Sequence, residues 1–308
     1  MGLEDHKLKV FCTVAETKSF SKTSEIIYLT QPAVSLQVQA LEELYETKLF
    51  DRSGSTISLT PAGEILYKYA KEILALYNQL DKDIGKITGL VKGSISIGAS
   101  TTIGNYMLPA ILADFKRTHT KIRMNLNINN TKRIVELLTS GTLDIGLVEC
   151  EVSKNKVINE SIVTDELCLI VPPLHPWAKR RVVSILELTK EPFIMREEGS
   201  GTRQVIEKYL AAHGIHINDM KITLVAGSTA SIKESVENGL GISIVSKWAL
   251  RKEAHYGTLK IINFKEERMF RSFWLLLPKN SVVSHSVDEF IYYIKSYPYD
   301  KHFMDFKS

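Results

Sequence analysis

The sequence is poor in anything that would staple a fold from outside. Its 308 residues include three cysteines, Cys12, Cys150 and Cys168. They form no CxxC pair and no even framework, which excludes a disulfide scaffold and suits a reducing compartment. No apolar run approaches the roughly 18 residues of a membrane span. Met1 to Phe11 carries charges and no apolar h-region, so no signal peptide is expected. The expectation is a cytoplasmic protein with no membrane partner. Catalytic signatures are missing as well. There is no GxSxG elbow and no HExxH pair, and Gly199-Ser200-Gly201-Thr202 lacks the lysine that a P-loop needs. His213 and His216, with Gly214 between them, read as a helix end rather than a metal pair. No enzyme activity, no cofactor and no metal are expected.

A surplus of positive charge is also missing where a nucleic-acid protein would need it. The net charge is +4, from 39 Lys+Arg against 35 Asp+Glu. Residues 1–90 hold 10 Lys+Arg and 12 Asp+Glu, so the excess lies entirely in the C-terminal part. Any claim on DNA by the N-terminus must rest on local geometry instead of bulk charge.

What is present is a chain of ordinary globular composition, 44% hydrophobic and 24% charged, long enough for two domains or three. Apolar spacing predicts a helix through Leu8, Phe11, Cys12 and Ala15, and a second short one after Ser19-Phe20-Ser21. Thr30 is placed to cap a third helix, with Pro32 in its first turn. Phe50, Ile57 and Leu59 flank Asp51 to Thr56 as a β-hairpin. From Pro61 to about Thr88 the apolar positions Ile65 (or Leu66), Tyr69, Ile73, Leu76, Leu80, Ile84 and Ile87 step by 4, 4, 3, 4, 4, 3. That is close to a heptad seam and predicts pairing with a second chain. Beyond Gly93 strands and helices alternate, from Ser94–Ala99 to a closing helix at Ser284–Tyr297, which predicts an α/β domain with helices on both faces of a sheet.

Ser19–Leu44 has the form of a helix–turn–helix. With Val34, Val38 and Leu41 as its buried stripe, the second helix presents Pro32, Leu36 and Gln39 outward, with Ser35 beside them. Gln pairs bidentately with adenine, Ser reaches a base or phosphate, and Leu36 fits a thymine methyl. The helix N-terminus, Thr30 and Gln31, suits a phosphate, and Arg52 at the hairpin base suits a wing. A three-helix bundle that docks a protein fits this pattern equally well.

In the C-terminal part, three strands end in small hydroxyl or glycine residues just before a helix. These are Ser100-Thr101-Thr102, Gly199-Ser200-Gly201-Thr202-Arg203 and Gly227-Ser228-Thr229. Helix N-termini and hydroxyls are anion donors, and in an open α/β sheet such strand ends border the ligand crevice. Together they predict a pocket for a small anion with Arg203 as its charge partner. Glu149 could face the same crevice, where it would repel an anion unless paired; a solvated rim position fits it as well. Cys150 and Cys168 near strand ends admit a redox switch, although small core residues are the commoner role.

The run from Leu29 to Glu64 resembles the winged helix–turn–helix of LysR-type transcriptional regulators. Gln31-Pro32-Ala33-Val34-Ser35, Leu41-Glu42, Leu49-Phe50-Asp51-Arg52 and Leu59-Thr60-Pro61-Ala62-Gly63 stand in that family's order and spacing. Leu36 departs from it, since members often carry Arg there. The resemblance covers the whole chain and implies a DNA-binding head (1–60), a linker and dimerisation helix (61–90) and an effector domain (91–308). That domain would resemble the type 2 periplasmic-binding fold, with subdomain I at 91–165 and 271–308 and subdomain II at 166–270. The crossings near Glu166–Val171 and Ser272–Leu277 would act as hinges. Family effectors touch the first strand–helix turn, here Ser100 to Thr102, and the run Arg196 to Arg203 resembles the branch regulating sulfur assimilation or carbon fixation. The resemblance further implies a homodimer or homotetramer on double-stranded DNA at an imperfect palindrome.

Overall fold

A computed structural model describes residues 6–27, 29–52, 57–88, 91–153, 157–279 and 283–299. Helices α1 (His6–Thr17), α2 (Phe20–Ile26) and α3 (Gln31–Leu44) form a small bundle. Each start is set locally. Ser19 caps α2 by accepting the Lys22 amide, and Thr30 caps α3 by accepting the Ala33 amide, with Pro32 in the first turn. The expected stripe of α3 is inward: Val34, Val38 and Leu41 are buried against Phe11, Phe20 and Phe50. Strands β1 (Phe50–Asp51) and β2 (Ser58–Leu59) pair antiparallel as the expected hairpin. Its tip, Ser53 to Thr56, lies outside the described residues.

Two sequence features weld this hairpin to the helices. Glu42, buried on α3, accepts the backbone amides of Leu49 at 2.9 Å and Phe50 at 3.4 Å, and the Lys48 ammonium at 3.0 Å. It thereby satisfies donors that the chain exposes as it turns into β1. Helix α4 (Pro61–Thr88) begins where Thr60 accepts the Gly63 amide and donates to the Lys48 carbonyl. A Cβ at Gly63 would stand 2.1 Å from the Leu49 carbonyl oxygen, so only glycine lets α4 cross the hairpin this closely.

One face of α4, with Leu66, Tyr67, Ala70 and Leu74, packs on the head. The other carries Ile65, Tyr69, Ile73, Leu76, Leu80, Ile84 and Ile87, and every one of these is exposed. These are the residues of the seam read from the sequence.

The remaining chain runs β3 (Gly93–Ser100), a π-turn (Ile103–Met107), α5 (Leu108–Thr118), β4 (Ile122–Asn129), α6 (Thr131–Thr139), β5 (Ile145–Val148), β6 (Val157–Val171), β7 (Val182–Val183), β8 (Pro192–Arg196), α7 (Gly201–Ala212), β9 (Lys221–Ala226), α8 (Thr229–Glu237), β10 (Ser243–Ser246), α9 (Arg251–Tyr256), β11 (Lys260–Phe264), β12 (Met269–Pro278) and α10 (His285–Ser296). The strands order as β4-β3-β5-β12-β6-β11-β7, with β10 also on β6 and β8 parallel to β9. Strand β6 is far longer than the apolar run Glu166–Val171 suggested. Its first two thirds pair with β12, and its last residues lie between β10 and β11. It therefore passes from one apolar core, around Ile97, Phe115 and Phe290, into another, around Leu169, Phe193 and Ile206. The helical stretch after β3 is split, because the chain makes the π-turn before Pro109 lets α5 start.

Glu42 supplies a quantitative check. Burial pushes its carboxyl up, but the Leu49 amide and Lys48 outweigh this and hold it below the ordinary value. Its stabilisation is therefore present above the ordinary carboxylate range and lost as pH falls through the lowered value. Glu42→Ala is expected to cost the head about 1–3 kcal/mol at pH 7 by leaving the buried amides unpaired, with the gap from wild type closing in acid. Urea unfolding at pH 7 and pH 3 measures both.

Candidate functional site

Two surfaces carry the expected functional residues. On α3, Thr30, Gln31, Pro32 and Gln39 are exposed, Ser35 is half-buried and Leu36 is 63% exposed. The Gln31 side-chain oxygen Oε1 accepts from the Ser21 hydroxyl on α2, and the Gln39 side-chain amide donates to Glu43 one turn on. Arg52 lies over the Phe20 ring, 4.6 Å from its centroid, which fixes the base of the wing against α2. The outward face of α3 between Pro32 and Gln39 is uncharged, as read from the sequence.

The second surface lies where the α/β halves meet. The turn after β3, the start of α6 and the start of α7 converge there. Ser200 caps α7 by accepting the Arg203 amide, and Asn130 caps α6 by accepting the Arg133 amide. The Lys132 amide donates to the Gly199 carbonyl across the two halves at 3.3 Å. Gly199 has φ +84°, which a side chain tolerates poorly. Gly201 is required by crowding, since a Cβ there would stand 2.8 Å from the Thr131 hydroxyl and 2.9 Å from Glu149 Cβ.

An ion network fills the centre of this meeting point. Arg271 lies opposite Asp165 in the β12–β6 ladder, and its Nε donates to Asp165 at 2.7 Å. Its Nη1 donates to Glu149 at 2.8 Å and to the Thr202 hydroxyl at 2.9 Å. Glu149 also accepts the Thr102 amide at 3.0 Å and the Thr202 hydroxyl. Asp165 accepts the Ser246 hydroxyl at 2.8 Å. All of these side chains are buried.

One guanidinium thus serves two buried carboxylates, and their donors divide them. Burial pushes both carboxyls up. For Glu149 the Arg271 charge and the Thr202 hydroxyl outweigh burial and bring it down to about 2. For Asp165 burial prevails over Arg271 and Ser246, and its carboxyl is pushed up to about 6.

The expected residues divide accordingly. Ser100, Thr102, Ser200 and Thr202 are buried at the convergence, with Thr101 half-buried beside them. Arg203 sits in the first turn of α7, and its Nε is engaged by Glu207 at 2.7 Å while Nη1 donates to the Arg196 carbonyl. Gly227 and Ser228 stand at the start of α8, where Ser228 caps the Ser231 amide. Arg196 lies beside that start: its Nη1 donates to Thr229 and its other nitrogens to Glu197. Glu149 is not on a solvated rim, because Arg271 pays for its burial. Arg271, Asp165 and Arg196 were not singled out from the sequence. Strand parity marks Arg271, which shares the inward face of β12 with Met269 and Phe273. The three cysteines are free thiols. Burial pushes Cys150 up to about 11 and Cys168 up to about 12, far from the thiolate that redox chemistry needs. Among the described residues no cluster of three or more His, Cys, Asp or Glu is placed to hold a metal. No described helix is long and apolar enough to cross a membrane.

The family model for the bacterial regulatory helix-turn-helix protein, lysR family, matches residues 6–64, and that for the LysR substrate binding domain matches residues 88–297. The chain belongs to the LysR family. It is a transcriptional regulator with a helix–turn–helix and an effector-binding domain of the LysR type. The HTH-type transcriptional regulator CysL of Bacillus subtilis is 36% identical over 256 residues, covering 83% of this chain and 85% of that one. A RuBisCO operon transcriptional regulator of Allochromatium vinosum is 32% identical over 274 residues, covering 88% of this chain and 89% of that one. These names match the branch suggested by the run Arg196 to Arg203. Among solved structures, the CcmR regulatory domain of Synechocystis PCC6803 in complex with 2-PG superposes with a TM-score of 0.62 at 25% identity, covering 67% of this chain and 97% of that one.

The raised Asp165 sets the sign of a pH effect in this LysR-type chain. A carboxyl whose folded pKa lies above its unfolded value contributes stability that is full below the unfolded value and lost as pH rises through the folded one. Wild type is expected to gain stability relative to Asp165→Asn as pH is lowered from 7.5 to 5. Urea titrations of both proteins at several pH values check this.

Proposed function

We propose that the chain is a cytoplasmic, non-enzymatic regulator that binds DNA as a homodimer or a homotetramer of such dimers and answers to a small anion held between the subdomains. The observation that carries this reading is the convergence of the strand–helix turns of both halves on one buried ion network. A ligand that rearranges that network changes how the halves sit, and so how the heads are presented. Subdomain I is taken as 91–165 and 271–308, subdomain II as 166–270, with β6 and β12 as the hinges. Ser100, Thr101, Thr102, Gly199, Ser200 and Thr202 would contact the effector, with Gly227, Ser228 and Arg203 at its edge. The relatives' names favour a metabolite of sulfur or carbon assimilation, and 2-PG is a suitable first probe beside sulfate, thiosulfate, selenite and O-acetylserine.

For DNA, α3 enters the major groove. Ser35, Leu36 and Gln39 meet base edges, Thr30, Gln31 and Pro32 approach the backbone, and Arg52 follows the wing. The head of 1–60 carries too little charge to bind well alone. The exposed seam of α4 (within the 61–90 linker) supports pairing, and two heads one helical turn apart imply an imperfect palindrome.

Mobility shifts on DNA upstream of the chain's own gene test this. Gln39→Ala is expected to relax sequence preference by about 1–3 kcal/mol, whereas Ser100→Ala should keep DNA binding and lose the response to the effector. Replacing Leu76 and Leu80 by Lys should give monomers in sedimentation and weaken the shift at least tenfold. Shifts without sequence preference would sink the reading.

A further inference from the structure

The crevice read above as the effector site contains an anion already, and it belongs to the chain. We propose that Glu149 is a resident carboxylate ligand of this crevice, and that an oxyanion effector binds by exchanging with it. The proposal rests on the reading of the crevice as the effector site.

Three kinds of donor converge on Glu149, each from a different element. Oε1 receives the Thr102 amide at 3.0 Å, from the turn after β3. Oε2 receives the Thr202 hydroxyl from the first turn of α7 and Nη1 of Arg271 from β12 at 2.8 Å. An amide at a helix start, a hydroxyl and a guanidinium make up the donor set of an oxyanion site. A side-chain carboxylate fills it here.

Charge excludes simple addition of a second anion. Arg271 already faces both Glu149 and Asp165. The other buried guanidinium, Arg196, is held by Glu197 through two nitrogens at 2.8 and 3.0 Å. A free anion entering beside Glu149 would meet a like charge in a desolvated space. One that replaces the Glu149 carboxylate inherits its donors and meets one like charge fewer than an anion bound beside it.

Two further donors show what exchange would add. Ser100 Oγ and Arg271 Nη2 are buried, with their residues 2% and 6% exposed, and neither has a hydrogen-bond partner. A side-chain carboxylate with its two oxygens occupied cannot reach them all. A tetrahedral or branched oxyanion, with more oxygens, has acceptors to spare. Glu149 is in this account the residue that sets specificity, because simple anions gain nothing over it. Only a ligand that also engages Ser100 and Nη2 displaces it.

The test uses the full chain and its thermal unfolding in sodium acetate against sodium chloride of equal ionic strength. Glu149→Ala should melt below wild type in chloride, and acetate should raise its melting temperature by at least ~3 °C more than it raises that of wild type. Wild type and Glu149→Gln, whose sites remain filled, should share only the general salt effect common to all three proteins. Should Glu149→Ala not fold, Glu149→Ser carries the same expectation, and acetate should restore its soluble yield. A folded Glu149→Ala or Glu149→Ser that responds to acetate no more than wild type does overturns the proposal. The crevice reading fails separately: it falls if Ser100→Ala leaves the operator response to effector unchanged, whatever the salts do to Glu149→Ala.

Discussion

One arginine holds the effector domain's two halves in register. Arg271 lies on β12 opposite Asp165 on β6, the two strands that run through both halves, and it reaches Glu149 after β5 and Thr202 at the start of α7. A buried guanidinium is costly unless its charge is paired, and so is a buried carboxylate. The elements that carry these groups are therefore constrained together. Removing Arg271 would leave two buried carboxylates without their cation, so these elements are held in one arrangement by a single side chain.

The head depends on a similar but smaller device. Glu42 turns from α3 to satisfy the amides at the entry to β1, and Gly63 permits α4 to lie across the same strand. The recognition helix, the wing and the linker helix are thus fixed to one another through a few backbone atoms. A change in the position of α4 would carry α3 with it. This rigid link connects the exposed seam of α4 with the polar face presented by Ser35, Leu36 and Gln39.

Local features of the fold were legible in the sequence, and long-range charge pairing was not. Val34, Val38 and Leu41 face the core because helical period alone dictates it, and the Ile65 to Ile87 seam is bare for the same reason. Thr30, Ser200 and Ser228 cap the helices they precede. Glu149 reads as a rim residue because nothing near it in sequence neutralises it; its partner lies 122 residues away. Asp165 hides in the polar first part of β6, where Asn159, Glu160 and Thr164 conceal a strand that pairs with β12. Arg203 looked free to meet an anion, yet Glu207 one turn on engages it. The strand–helix turns of the effector domain follow from chain chemistry, whereas the side chains that meet between them are decided by tertiary packing.

In the proposed exchange, Glu149 holds the oxyanion position of the effector domain until a ligand takes it. A crystal structure of the full chain with 2-PG bound addresses it most directly. Ligand oxygens are expected on the Thr102 amide, the Thr202 hydroxyl and Arg271, with the Glu149 carboxylate withdrawn from all three. A ligand bound in the crevice with Glu149 still on Arg271 and Thr202 would contradict it.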